Sequence, residues 1–192
     1  MNATESKMTP SLTLTPRSPL GTAEGDSART IVDNAVVRIV EEPFLQLTSL
    51  RLSRAGDLAT IKAVLPLSLE HAPNTFSGDA DYAVARYEPR AWIVISRQAI
   101  KLPSNVAACV VTDLSARLAS FRISGTAATK ILPSSTSVAP VLGGFVRTMF
   151  AENYAVLLQC LGEQDYRLLV DASLAQSCAD WLADAAPHHQ SN

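Results

Sequence analysis

The sequence is short of the residues that catalytic and cofactor sites draw on most. It has only eight glycines in 192 residues, and the one adjacent pair is Gly143 and Gly144. A loop that cradles phosphate needs closely spaced glycines, so that backbone N–H groups can approach the oxygens. Neither nucleotide-motif spacing is present. That argues against a flavin or nicotinamide site of the dinucleotide-fold type, and Gly144 reads as a loop-to-strand turn. Histidine is equally sparse: His71, His188 and His189. The last two follow Pro187, and His71 sits in a polar stretch near Pro73. A general base must be held within hydrogen-bond reach of its proton, and any Ser-His-Asp triad would rest on one of these three. Cys109, Cys160 and Cys178 are odd in number and scattered. They suit neither a disulfide frame nor a zinc knuckle and read as buried thiols in a reducing cytoplasm. Net charge is -2, so nothing favours nucleic acid or an anionic membrane. No apolar run approaches the roughly 20 residues of a membrane span. The first residues show no secretory h-region.

What the sequence does have is core-forming material. Apolar residues make up 47% of the chain, enough for one large domain or two small halves sharing a core. Residues 1 to about 30 are rich in Thr, Ser, Pro and Gly and read as a disordered or partner-bound tail. Residues 31–186 read as a single domain of two similar halves, and 187–192 as a second short tail.

In the first half, residues 44–52 alternate well enough for a strand. Asp57 is placed to cap a helix that buries Leu58, Ile61 and Leu65 before Pro66 stops it. Residues 82–87 and 91–96 predict a hairpin around Glu88, Pro89 and Arg90. Residues 106–114 form another apolar, β-rich run. The second half repeats the order. It has a strand over 118–124, a break at Gly125, and a short helix over 126–132 that Pro133 ends. Strands over 144–151, 154–160 and 165–170 follow, with a turn at Gly162. Leu174, Cys178, Trp181, Leu182 and Ala185 then share one helical face, with Asp171 or Ser173 as its cap. This order predicts an α+β fold: mostly antiparallel strands with helices packed on them.

The charged residues offer few candidates. Asp113 ends an apolar strand and precedes Ser115; it reads as a group facing a cleft or as a strand-end cap near Ala116. Arg117 and Arg122 carry forked guanidiniums suited to a carboxylate or phosphate, to a solvated sheet face or to a partner subunit. Trp92 and Trp181 read as core or interface anchors. With so little positive charge, a base-stacking platform is not expected.

Residues 110–132, VVTDLSARLASFRISGTAATKIL, run strand, strand, glycine, short helix. That run resembles the folate-binding aminomethyltransferase superfamily. Further pieces resemble one branch of it. They are Pro73-Asn74-Thr75; Tyr87 through Val94; Asp113-Leu114-Ser115 with Phe121 through Ala127; and Tyr166 through Val170 with Trp181-Leu182. In order and spacing, over about residues 35–186, these resemble the gamma subunit of heterotetrameric sarcosine oxidase. The resemblance implies a non-catalytic cytoplasmic subunit supporting oxidative demethylation of sarcosine to glycine. Its partners would be alpha, beta and delta subunits, alpha in direct contact. FAD, FMN, NAD, tetrahydrofolate and zinc would reside in those partners, so no catalytic, cofactor-binding or metal-ligating residue is assigned here. Folate-dependent aminomethyltransferases carry an aspartate on the strand matching residues 154–160. Here that strand has Gln159 and no carboxylate, and an amide cannot steady a developing cation as an anion does. The alternative reading is a stand-alone folate-binding protein or aminomethyltransferase-like enzyme, with a pterin between the halves and Arg117 or Arg122 at its glutamate tail.

Overall fold

In the computed structural model, residues 18–21, 28–53, 58–62, 67–103, 105–106 and 108–188 are described. The strands, in chain order, begin with β1 (Thr30–Asp33), β2 (Arg38–Glu41) and β3 (Gln46–Leu52), followed by helix α1 (Leu58–Lys62). Next come β4 (Thr75–Gly78), β5 (Tyr82–Glu88), β6 (Ala91–Ser96), β7 (Asn105–Val106) and β8 (Cys109–Asp113). The second half has β9 (Leu118–Ser124), α2 (Ala128–Ser135), β10 (Phe145–Phe150), β11 (Tyr154–Gly162), β12 (Asp165–Asp171) and α3 (Ala175–His188).

The strands make two six-stranded sheets, ordered β1-β2-β9-β12-β11-β10 and β4-β5-β6-β3-β8-β7. Every strand pairing is antiparallel. Read from opposite ends, the two orders are the same. Each half lays down a strand, a helix and a three-stranded meander whose last strand returns to pair with the first. The β7–β8 hairpin extends one sheet, and the β1–β2 hairpin extends the other. The two similar halves expected from the sequence are therefore two sheets.

Side-chain alternation, with its period of two, divides the interior into layers. On β12, Tyr166, Leu168 and Val170 face a core shared with Ile131 and Leu132 of α2 and Cys178 and Leu182 of α3. Leu169 of the same strand points the other way. It packs between the sheets with Leu47, Ala85, Ile93, Ile95 and Phe145. The far face of the second sheet buries Leu50, Trp92 and Val94 against Leu67 and Leu69. The layers thus run helices, sheet, sheet, with α1 and the 67–69 segment outermost. At the sheet edges a bridge links Thr75 to Gly144, and Phe145 donates its N–H to the Asn74 carbonyl at 2.9 Å.

Several boundaries differ from the sequence reading. Pro133 does not end α2, which runs on to Ser135. A helical proline forfeits one N–H and crowds the carbonyl four residues back. Hydroxyls beyond the proline serve other carbonyls at this end of the helix. Ser134 donates to Lys130 O at 2.7 Å, and Thr136 to Leu132 O at 2.9 Å. Likewise α3 carries through Pro187 to His188, into the segment expected as a tail. The β-rich run over 106–114 carries the end of β7 and all of β8, which fold back on each other with Ala108 at φ 61° in the left-handed region. On α3 the buried stripe is Ala175, Cys178, Ala179, Leu182 and Ala186; Leu174 lies in a preceding 3-10 turn and is exposed. Asp171 caps that turn, accepting from the Ser173 N–H at 3.0 Å.

The expected tail over residues 1–30 lies mostly outside the described residues. Of its described residues, Thr30 opens β1 and 18–21 are docked: Leu20 is buried in the helix-side core, and Ser18 donates to buried Glu41. Asp57, Leu65 and Pro66, expected around α1, lie outside the described residues.

Candidate functional site

The strongest concentration of chemistry is a buried polar network between the sheets. Alternation dictates its membership. Ser120 and Arg122 on β9, Gln159 on β11 and Arg167 on β12 share the face opposite the helices. Register sets Arg122, Arg167 and Gln159 side by side in one row across three strands. Arg167 is fully buried, and Glu42, just past β2, is nearly so. The Arg167 guanidinium donates from Nε to Glu42 Oε2 at 2.6 Å and from Nη2 to Glu42 Oε1 at 3.0 Å. It also donates to Gln159 Oε1 at 3.0 Å and to the Ala80 carbonyl at 2.6 Å. Glu42 further accepts from Ser120 at 3.0 Å and from Arg97 Nη2 at 2.6 Å, while Arg97 Nε reaches Asp81 at 2.8 Å. Ala80, Asp81 and Arg97 stand on the second sheet's connections, so the network ties one sheet to the other.

Its electrostatics suit structure more than proton transfer. Burial alone would raise the Glu42 carboxyl. The hydrogen bonds and charge of Arg167, with the charges of Arg97 and Arg122, outweigh that and hold it below the ordinary carboxylate range. A general acid or base needs a pKa near the working pH; this carboxylate is pushed the other way. Four of Arg167's donor contacts are taken by protein acceptors. The network is a clamp.

The residues singled out from sequence are dispersed around it. Asp113 Oδ1 accepts from the Ser115 N–H at 2.9 Å and the Ser115 hydroxyl at 2.6 Å, and those bonds lower its pKa. It closes its turn on Ser115 instead of around Ala116, and Ser115 Oγ in turn accepts from Leu47 N at 3.0 Å. Asp113 and Ser115 also line a cleft of about 480 Å³ with Glu42, Phe44 and Gln46. The cap and the cleft readings therefore hold together. Arg122 forms a bidentate pair with Asp165. It does not reach the cleft where a ligand tail was expected. Arg117 does line a cleft between the sheets, of about 370 Å³. Gln159 is fully buried with its oxygen on Arg167.

His71 is half-buried beside Arg86. Desolvation first, and the Arg86 charge second, lower its pKa against a smaller opposing effect of the Ser68 backbone. His188 ends α3, and His189 lies outside the described residues. The three cysteines are free and buried, as read from the sequence. Burial pushes the Cys178 thiol up to about 12. Trp92 is a core anchor, donating from Nε1 to Leu69 O at 3.1 Å beneath the Arg86 guanidinium. Trp181 meets Phe150 edge-on at 4.7 Å. Gly143, at φ 74°, and Gly144 make the expected turn, in which the Gly144 N–H bonds Val141 O at 2.7 Å. Among the described residues, no group of three or more His, Cys, Asp or Glu is placed to hold a metal ion. No described helix is long and apolar enough to cross a membrane.

Glu42, Arg97 and Arg167 escaped the sequence reading. The available signal was the charge at Arg167 inside the otherwise apolar strand Tyr166-Arg167-Leu168-Leu169-Val170.

The architecture is α+β, two similar halves of antiparallel strands with packed helices, in the manner of the aminomethyltransferase folate-binding fold. Among the solved structures that share it are two from known enzymes. A chain of the heterotetrameric sarcosine oxidase from Corynebacterium sp. U-96, in complex with pyrrole 2-carboxylate, superposes with a TM-score of 0.72 at 24% identity, covering 85% of this chain and 90% of that one. The glycine cleavage system aminomethyltransferase T from Bartonella henselae gives a TM-score of 0.54 at 10% identity, over 76% of this chain and 45% of that one. No family model matches the sequence, and no curated protein matches it.

Proposed function

We propose that this chain is the gamma subunit of a heterotetrameric, cytoplasmic sarcosine oxidase. The observation that carries this reading is the superposition on a chain of such an oxidase over most of both chains, 85% and 90%. The aminomethyltransferase T match spans 45% of its chain, as a fold shared in part would. In this reading the complex oxidises sarcosine with dioxygen and water to glycine, formaldehyde and hydrogen peroxide, and tetrahydrofolate captures the one-carbon unit. FAD, FMN, NAD, tetrahydrofolate and zinc are held by the alpha, beta and delta subunits. This chain supplies surface to alpha, and its most buried polar residues form the clamp between its sheets. Obligate interfaces bury about 2,000 Å² or more, so loss of this chain acts on assembly before it acts on chemistry.

The test is co-expression with the flavin-bearing subunits and purification through a tag on this chain. The expected result is a stable complex with one copy of this chain that produces peroxide from sarcosine. Recovery of the free chain alone, while the other subunits assemble and turn over normally without it, would overturn the proposal.

A further inference from the structure

We infer that the cleft bearing Arg117 is a binding site for an organic carboxylate with an apolar body. The cleft, of about 370 Å³, opens between the two sheets. Arg51 comes from β3, Arg147 from β10 and Arg117 from the turn before β9, so elements of both sheets aim guanidiniums at one mouth. Tyr87 stands beside them, and Leu157 and Leu169 form the floor. Leu169 belongs to the inter-sheet core, so the floor is rigid.

The charge at this mouth is not balanced internally. Three guanidiniums face two carboxylates, Glu88 and Asp171. Arg51 approaches Glu88 at 3.1 Å. Arg147 lies 3.6 Å from Glu88 and Arg117 3.8 Å from Asp171. Each of these is a long, single-atom approach, and a guanidinium carries five N–H donors, so Arg117 and Arg147 keep donors to offer. The paired donors of a guanidinium match the two oxygens of a carboxylate. The leucine floor selects against small inorganic anions, which gain nothing from apolar contact, and favours an acid carrying an aryl or alkyl body. The volume falls near the lower end of the roughly 300–1,000 Å³ typical of small-molecule pockets. It has room for one aromatic acid and not for a dinucleotide. This inference does not depend on the oxidase reading, because every residue in it belongs to this chain.

The experiment titrates 4-phenylbutyrate into the full chain labelled with ¹⁵N, following the arginine Nε–H resonances. Saturable shifts at Arg117 and Arg147, weakened by added salt, are expected. Acetate, without the apolar body, and 4-phenylbutylamine, with the opposite charge, should not reproduce them. The double variant Arg117→Gln/Arg147→Gln should bind about tenfold more weakly or worse, as loss of charge-assisted pairs implies. Glu88→Gln, which releases Arg51 and Arg147 from their internal anion, should bind more tightly than the native chain. A gain of affinity cannot come from a misfolded variant. No saturable shift up to ~10 mM, the range of affinities too weak to be specific, would overturn the inference. So would equal binding by the amine, or affinity unchanged in both variants.

Discussion

Replacing Arg167 with methionine should be among the most damaging single changes available in this chain. The guanidinium is fully buried, and Glu42 opposite it is 4% exposed. Methionine fills part of the space but donates nothing. Glu42 keeps Ser120 and Arg97 and loses two donors, while Gln159 Oε1 and the Ala80 carbonyl lose theirs. Breaking a buried ion pair from one side costs about 3–5 kcal/mol. In a domain of this size that lowers Tm by roughly 6–20 °C. The assay is urea denaturation, run as a double-mutant cycle with Glu42→Leu. The double variant should recover most of the loss, because an apolar pair leaves no orphaned charge. The acid limb is a second readout. The folded Glu42 carboxyl lies below its ordinary value of 4.5. Its contribution is therefore present above that value and lost as pH falls through the lower, folded pKa. In Arg167→Met the largest opposing charge is gone and desolvation acts with less opposition, so the acid-side loss attributable to Glu42 should shrink. A cost under about 1 kcal/mol, the range of exposed ion pairs, would refute the clamp.

Three further outcomes are expected. Gly125 sits at φ 110°, and a Cβ there would meet the Val36 carbonyl at 2.4 Å; Gly125→Ala should cost about 1–3 kcal/mol by denaturation, and a neutral result would contradict the described turn. Because Cys178 is pushed up to about 12 by burial, a thiol reagent at neutral pH should modify it only as the chain unfolds; rapid labelling of the native protein, read by mass spectrometry, would show the helix-side core to be open. Ser18→Ala removes the hydroxyl that meets Glu41, and should loosen residues 18–21, seen as faster amide exchange at Leu20, whose N–H bonds Glu41 Oε1 at 3.2 Å; unchanged exchange would dismiss the docking described for that segment.

Much of the sheet architecture was readable because burial writes a period of two into a strand. Residues 82–87, 91–96 and 118–124 alternate or run apolar between turn residues, and the strands fall there. The same logic exposed the repeated order of the halves. Proline was over-read: Pro133 and Pro187 both lie inside helices, near their C-terminal ends, where each removes one N–H and the helix still runs on past it. The clamp was illegible for a different reason. Residues 42, 97 and 167 come together through strand pairing between distant segments and the packing of one sheet on the other, and no local spacing announces that. Asp113 drew attention as a charge at a strand end and Arg122 for its forked guanidinium, yet both are answered by close partners, Ser115 and Asp165. Arg117 was noticed for its donors; that Arg51 and Arg147 gather beside it depends on how two sheets pack.

The way the sheet containing β1 and β2 is completed sets a timetable for folding. The sheet built from β3 to β8 draws on one continuous stretch of chain, so all its strands are at hand as soon as that stretch leaves the ribosome. The β1–β2 hairpin is made first but docks on β9, with Glu41 opposite Phe121. Long-range pairings of this kind slow folding, since a large loop must close before any contact rewards it. The earliest strands must therefore wait, edges unpaired, while a complete sheet is synthesised and folds between them and their partner. Glu42 waits with them, so the clamp closes only once β12 has delivered Arg167, and the last strand to arrive locks the first.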